Sequence, residues 1–133
     1  MKKKNIVLIV IVLLLLGGLL WWNLPSHITS IKPEKVSKIE IFDGGTGKST
    51  SITEQKDIEH IIQNLNSVTV NKKGISLFYL GYSFRTTIYK TNGKVYKKFI
   101  LNSGDTLRKD PFFYQSKSGN IDYDYIKGLV RSK

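Results

Sequence analysis

Gly44-Gly-Thr-Gly-Lys-Ser-Thr50 is the string that most invites chemistry, because Gly47-Lys48-Ser49 is the tail of a phosphate-binding loop. In such a loop backbone N–H groups wrap the phosphates, the lysine reaches the β and γ oxygens, and the hydroxyl holds magnesium. The first glycine of that pattern falls on Phe42, and Ser49–Thr53 is β-branched and cap-forming where a helix has to start. The string therefore reads as a glycine turn between strands, and no nucleotide is expected. Asn120-Ile-Asp122-Tyr-Asp124 sets oxygen donors on alternate residues, as a calcium loop begins. The sixth-position glycine and the closing glutamate of that loop fall on Tyr125 and Arg131, so Asp122 is expected to cap a helix.

Other reactive groups are few. There is no cysteine, which removes disulfides, thiolate ligands, thiol nucleophiles and lipid attachment. The two histidines, His27 and His60, lie in different segments and are not placed to share a ligand or a proton relay. His60 points off the apolar stripe of its helix and reads as a solvated surface residue. Neither a G-x-S-x-G elbow nor an H-E-x-x-H pair is present. A carboxylate hydrolase needs two acids facing one cleft, and the order Asp105, Asp110, Asp122, Asp124 does not supply that pairing. No catalytic residue, metal or cofactor is expected, and the hydrolase stands as the alternative class.

What the composition does supply is positive charge. Lys and Arg number 21 against 10 Asp and Glu, a formal +11. Part of it sits in a hairpin, since Tyr82–Lys90 and Lys94–Leu101 flank Asn92-Gly93, the preferred centre of a two-residue turn. That turn sets Thr91 opposite Lys94 and Tyr89 opposite Tyr96. One face then carries Phe84, Ile88, Val95, Phe99 and Leu101, with Thr86, Lys90 and Lys97 interspersed. The other carries Arg85, Thr87, Tyr89, Tyr96 and Lys98, an aromatic and basic stripe of the kind enriched in contact surfaces. Arg85, Tyr89, Tyr96 and Lys98 are the candidate binding residues. The same residue types also build an ordinary solvated sheet face.

The positioning elements begin with Ile6–Trp22, an unbroken run of 17 apolar or glycine residues. As a helix, extended by Asn23 and Leu24, it approaches the roughly 30 Å hydrocarbon core of a bilayer. Lys2, Lys3 and Lys4 precede it with no acid nearby, which holds that end in the cytoplasm, and Trp21-Trp22 suit an interfacial belt. A cleavable signal shares the basic start and the apolar stretch. It ends, however, in small residues, whereas this run passes through two tryptophans into Asn23-Leu24-Pro25. The expected division is a cytoplasmic tail over 1–5, a transmembrane signal-anchor over 6–24, a tether over 25–35 and an extracytoplasmic domain over 36–133. A cleaved, secreted form of that domain is the alternative.

Within the domain, Val36–Phe42 and Ser49–Ile52 read as strands around the glycine turn. Thr53 is expected to cap a helix whose Ile58, Ile61, Ile62 and Leu65 share one face. Ser67–Val70 is β-prone, Lys72-Lys73-Gly74 is expected to turn, and Ile75–Leu80 to be buried. Short strands are expected around Thr106–Arg108 and Phe112–Tyr114, and a last helix carries Tyr123, Ile126, Leu129 and Val130 on one side. The sum is an α+β domain with two helices on one face of a mainly antiparallel sheet.

Val36-Ser-Lys-Ile-Glu-Ile-Phe-Asp-Gly44, Asp57-Ile-Glu-His-Ile-Ile-Gln-Asn-Leu-Asn66, Gly81-Tyr-Ser-Phe-Arg85 and Ile121-Asp-Tyr-Asp-Tyr-Ile126 resemble a family of small Gram-positive (Firmicutes-type) envelope proteins. These carry a lipid or helical anchor and then a domain of unknown function. The resemblance implies a bacterial cell-surface location, and it brings no activity and no site residues. Without Lys2–Lys4 the chain keeps 18 basic and 10 acidic residues, a net +8. Such a domain attracts polyanions. The reading is a single-pass, membrane-anchored binding or accessory module rather than an enzyme. Its expected partners are the membrane and either another envelope or membrane protein or an anionic wall polymer or lipid headgroup. Nucleic acid is not expected.

Overall fold

The computed structural model describes residues 2–77, 81 and 83–132. Helix α1, Lys3–Asn23, is 21 residues long, with no residue buried and its leucines and isoleucines exposed all round. At about 1.5 Å per residue it is long enough, and apolar enough, to cross a bilayer.

The rest of the chain is α+β. The strands are β1 (Ser26–His27), β2 (Val36–Asp43), β3 (Lys48–Ile52) and β4 (Thr69–Ile75). They continue with β5 (Phe84–Lys90), β6 (Val95–Leu101), β7 (Thr106–Lys109) and β8 (Phe112–Ser118). All eight form one antiparallel sheet in the order β1-β4-β8-β7-β6-β5-β2-β3. Helices α2 (Gln55–Ser67) and α3 (Tyr123–Arg131) pack on its inner face.

Period-two alternation supplies that face: Val36, Ile39 and Ile41 from β2, Ile52 from β3, Phe84 and Ile88 from β5, Phe99 and Leu101 from β6. Against it α2 buries Ile58, Ile61, Ile62 and Leu65, the stripe its spacing predicts. The glycine string is a turn: Gly47 takes φ 74° and donates its N–H to the Asp43 carbonyl before β3 begins.

The order of elements agrees with expectation, and several local details differ. Residues 25–35 are not a free tether. Strand β1 pairs with β4, Ile28 and Thr29 are buried, and Pro33–Lys35 makes a 3-10 turn. Asn66 fastens this segment. Its Oδ1 accepts from the Thr29 hydroxyl at 2.6 Å and from the Ile31 N–H, and its Nδ2 donates to the Ile31 carbonyl at 2.7 Å. Asn66→Ala leaves these partly buried groups unpaired and should cost about 1–3 kcal/mol. Amide hydrogen exchange should then accelerate first at residues 28–31.

Lys72-Lys73-Gly74 does not turn either. Strand β4 runs through it, absorbing the irregularity as a register shift between Lys72 and Gly74 opposite β8. Of the segment expected to be buried over Ile75–Leu80, residues 78–80 lie outside the described residues, as does Tyr82. Ile75 and Leu77 are 66% and 52% exposed. Neither Thr53 nor Asp122 caps through its side chain: Glu54 occupies the position before α2, and Asp122 precedes α3 with no cap hydrogen bond.

Asp43, 1% exposed, links the sheet to α3. Its carboxylate accepts from Arg131 Nε at 3.0 Å and from the Gly45 N–H at 2.8 Å. The Arg131 hydrogen bond, helped by Gly45 and opposed by burial, holds this carboxyl below the usual aspartate range. A depressed native pKa gives stability that is present above the unfolded value of about 3.9 and lost as pH falls through the native one. Asp43→Asn should therefore be the less stable protein at neutral pH. Urea unfolding should show the gap closing in acid.

Candidate binding site

The expected hairpin register holds from Phe84–Leu101 to Ile88–Lys97, so Arg85, Thr87 and Lys98 share the outer face. It slips at Tyr89, which pairs with Val95. The cause is the turn. Gly93, at φ 84°, donates to the Lys90 carbonyl, and Lys90 donates to Lys94, so the loop has three residues and Lys90 faces Lys94. One residue of β6 is then surplus, and it is Tyr96.

Tyr96 is therefore not opposite Tyr89. It packs against the inner core, and its hydroxyl accepts from the Ser30 N–H at 2.8 Å. On the outer face the Tyr89 hydroxyl donates to Glu40, and Lys38 sits 4.5 Å from the Tyr89 ring centroid while pairing with Glu40 at 3.0 Å. Arg85 and Lys98 border a shallow depression with Arg108 and Asp110, where Asp110 accepts two hydrogen bonds from Arg108. The four candidate residues do not form one stripe.

A different site appears on the inner face. Between β1 and strands β6–β8 lies a pocket of about 170 Å³ with an apolar wall of Ile28, Val70, Phe99 and Leu107. Lys97, Lys109, Tyr114, Ser26 and His27 complete its lining. Lys97 Nζ donates to the Ile28 carbonyl at 2.6 Å. Burial, reinforced by the charge of Lys109, pulls the Lys97 ammonium below the usual lysine range, and burial pushes the Tyr114 hydroxyl up. Among the described residues neither lysine pairs with a carboxylate. Two cations repelling each other beside a phenol and an apolar wall have the chemistry to accept an anion that carries apolar substituents.

The pocket adjoins the end of α1. Register partners across the sheet put Ile75, Phe112 and Lys109 in one row, and Lys72, Tyr114 and Leu107 in the next. Phe112 meets the rings of Trp21 and Trp22 edge-on, at centroid distances of 5.6 and 5.5 Å. Lys72 Nζ donates to the Trp21 carbonyl at 3.3 Å and lies 4.1 Å from its ring centroid. The pocket lysine Lys109 is thus one strand away from the residue that touches both tryptophans.

Sequence reasoning missed this pocket but held one clue to it. Alternation puts Lys97 on the helix-facing side with Phe99 and Leu101, an unusual place for a lysine. The pairing of Lys109 with Phe112 depends on the β7–β8 register, which no local signal announces.

His60 is exposed at the surface, as expected, and it also has partners there. Its Nε2 lies 2.6 Å from Asp122 Oδ2, and its ring stacks on Tyr125 at 3.7 Å. The Tyr125 hydroxyl donates to Asp57 at 2.6 Å, and this contact, with burial, pushes its pKa up to about 12. These contacts tie α2 to α3. Asp105 and Asp110 are likewise engaged, by Ser103 and Thr106 and by Arg108 and Ser76. No group of three or more His, Asp or Glu among the described residues is placed to hold a metal.

The chain matches no protein-family model, and comparison with curated proteins and with solved structures returns no significant match. The fold and the pocket therefore carry the functional reading on their own.

Proposed function

We propose that this protein is a single-pass, membrane-anchored, extracytoplasmic binding module of the bacterial envelope, and that its inner-face pocket takes the anionic headgroup of a lipid. The observation that carries the reading is the pair Lys97 and Lys109, which share an apolar-walled pocket with no carboxylate, Lys109 lying one strand from the Phe112 that meets Trp21 and Trp22. Helix α1 supplies the span, and Lys2–Lys4 set its N-terminus in the cytoplasm by the positive-inside rule.

A headgroup fits the chemistry better than a free polymer chain. The phosphate answers the two ammonium groups and the Tyr114 hydroxyl, and the glycerol and first methylenes meet Val70, Phe99 and Leu107. The module acts by holding and presenting, with no bond made or broken.

The test uses full-length protein with isotopically methylated lysines in zwitterionic micelles. Short-chain phosphatidylglycerol should shift the Lys97 and Lys109 resonances saturably and leave Lys38 in place, and short-chain phosphatidylcholine should shift none. Uniform movement of all surface lysines would show general screening and overturn the pocket.

A further inference from the structure

The two most exposed large apolar residues described beyond Leu24 are neighbours. Ile75 ends β4 at 66% exposure and Leu77 follows at 52%. Between them Ser76 is fully buried, with its hydroxyl on Asp110 at 2.6 Å and its N–H on the Pro111 carbonyl at 2.8 Å. Asp110 is itself gripped by Arg108. On either side of this pinned serine Ile75 and Leu77 are both exposed, on a fixed support.

Their height relative to α1 is also set. Ile75 is the register partner of Phe112, and Phe112 lies against Trp21 and Trp22. Tryptophans at the end of an apolar span sit at headgroup level. Lys72 and Lys73 precede Ile75 within β4, and their charge suits an anionic surface.

We infer that Ile75 and Leu77 form a second membrane contact, dipping into the bilayer interface beside α1 and laying the β4–β8 end of the sheet on the lipid. This rests on the anchor reading of α1 and adds an orientation to it. A domain held at two points does not swing, so its pocket stays at the height of the headgroups.

The absence of native cysteine allows single-site labelling. Full-length protein carrying Ile75→Cys or Leu77→Cys is labelled with an environment-sensitive fluorophore in mixed phosphatidylcholine–phosphatidylglycerol nanodiscs. Val95→Cys serves as an exposed control, and Leu13→Cys as a marker of the span. Headgroup-level nitroxide lipid should quench the labels at 75 and 77 several-fold more than the label at 95, and adding Leu77→Asp to Ile75→Cys should reverse this. If the marker at 13 is lipid-protected while 75 and 77 behave like 95, the second contact is wrong and the anchor stands. If the marker at 13 is open to water, the anchor reading fails, and this inference with it.

Discussion

Phe84→Ala is expected to lower the unfolding free energy by about 3–5 kcal/mol, the range for emptying a fully buried phenylalanine site. Phe84 is completely buried at a point where several elements meet. In the sheet it pairs with Leu101 on one side and with Asp43 on the other. Its ring lies 5.1 Å from Tyr123 and 5.7 Å from the Arg131 guanidinium. Truncation therefore opens a cavity and loosens the arginine that neutralises buried Asp43. Urea unfolding of the full-length protein in micelles reads the effect, and a loss under about 1 kcal/mol would mean that α3 does not close the core here.

The double replacement Lys97→Met and Lys109→Met should weaken binding of anionic headgroups by about 30-fold. Each lysine beside an anionic group contributes about 1 kcal/mol, and about 1.4 kcal/mol is tenfold in affinity. Methionine keeps the apolar stem, so the wall beside Phe99 and Leu107 is preserved while the charge is removed. Each single change should cost roughly fivefold by the same arithmetic. Lys98→Met, on the opposite face, should leave affinity unchanged. Loss of equal size from Lys98→Met would move the site to the outer depression bordered by Arg85.

Much of the fold was legible because its signals are local. The apolar run gave α1, the stripe Ile58-Ile61-Ile62-Leu65 gave the buried side of α2, and alternation in 84–101 gave most of a register. What escaped was decided at a distance. Gly93 serves a three-residue loop as readily as a two-residue turn, and that single difference took Tyr96 out of line with Tyr89. Residues 25–35 have a linker's composition. They are ordered because Asn66, on another element, satisfies their backbone. Lys72-Lys73-Gly74 has turn chemistry, yet β8 pairs with the strand on both sides of it.

The candidate site was less legible than the fold. Arg85 and Lys98 share the outer face as expected, but the outer face also carries the internal Lys38–Glu40–Tyr89 pairing. On the inner face, strands distant in sequence bring Lys97 and Lys109 together in one pocket. A sheet's inner face is expected to be core, so a pocket lined by its strands is visible only once the strand order is known.

Photo-crosslinking in intact membranes tests the central claim most directly. A photoreactive phenylalanine analogue replaces Tyr114 in the pocket, or Tyr89 on the outer face as control, and adducts are identified by mass spectrometry. A phosphorus-bearing lipid adduct from position 114, absent from 89 and lost on adding Lys97→Met and Lys109→Met, is the predicted result. A protein adduct at 114, or the same background from both positions, would contradict the claim that this pocket holds an anionic headgroup.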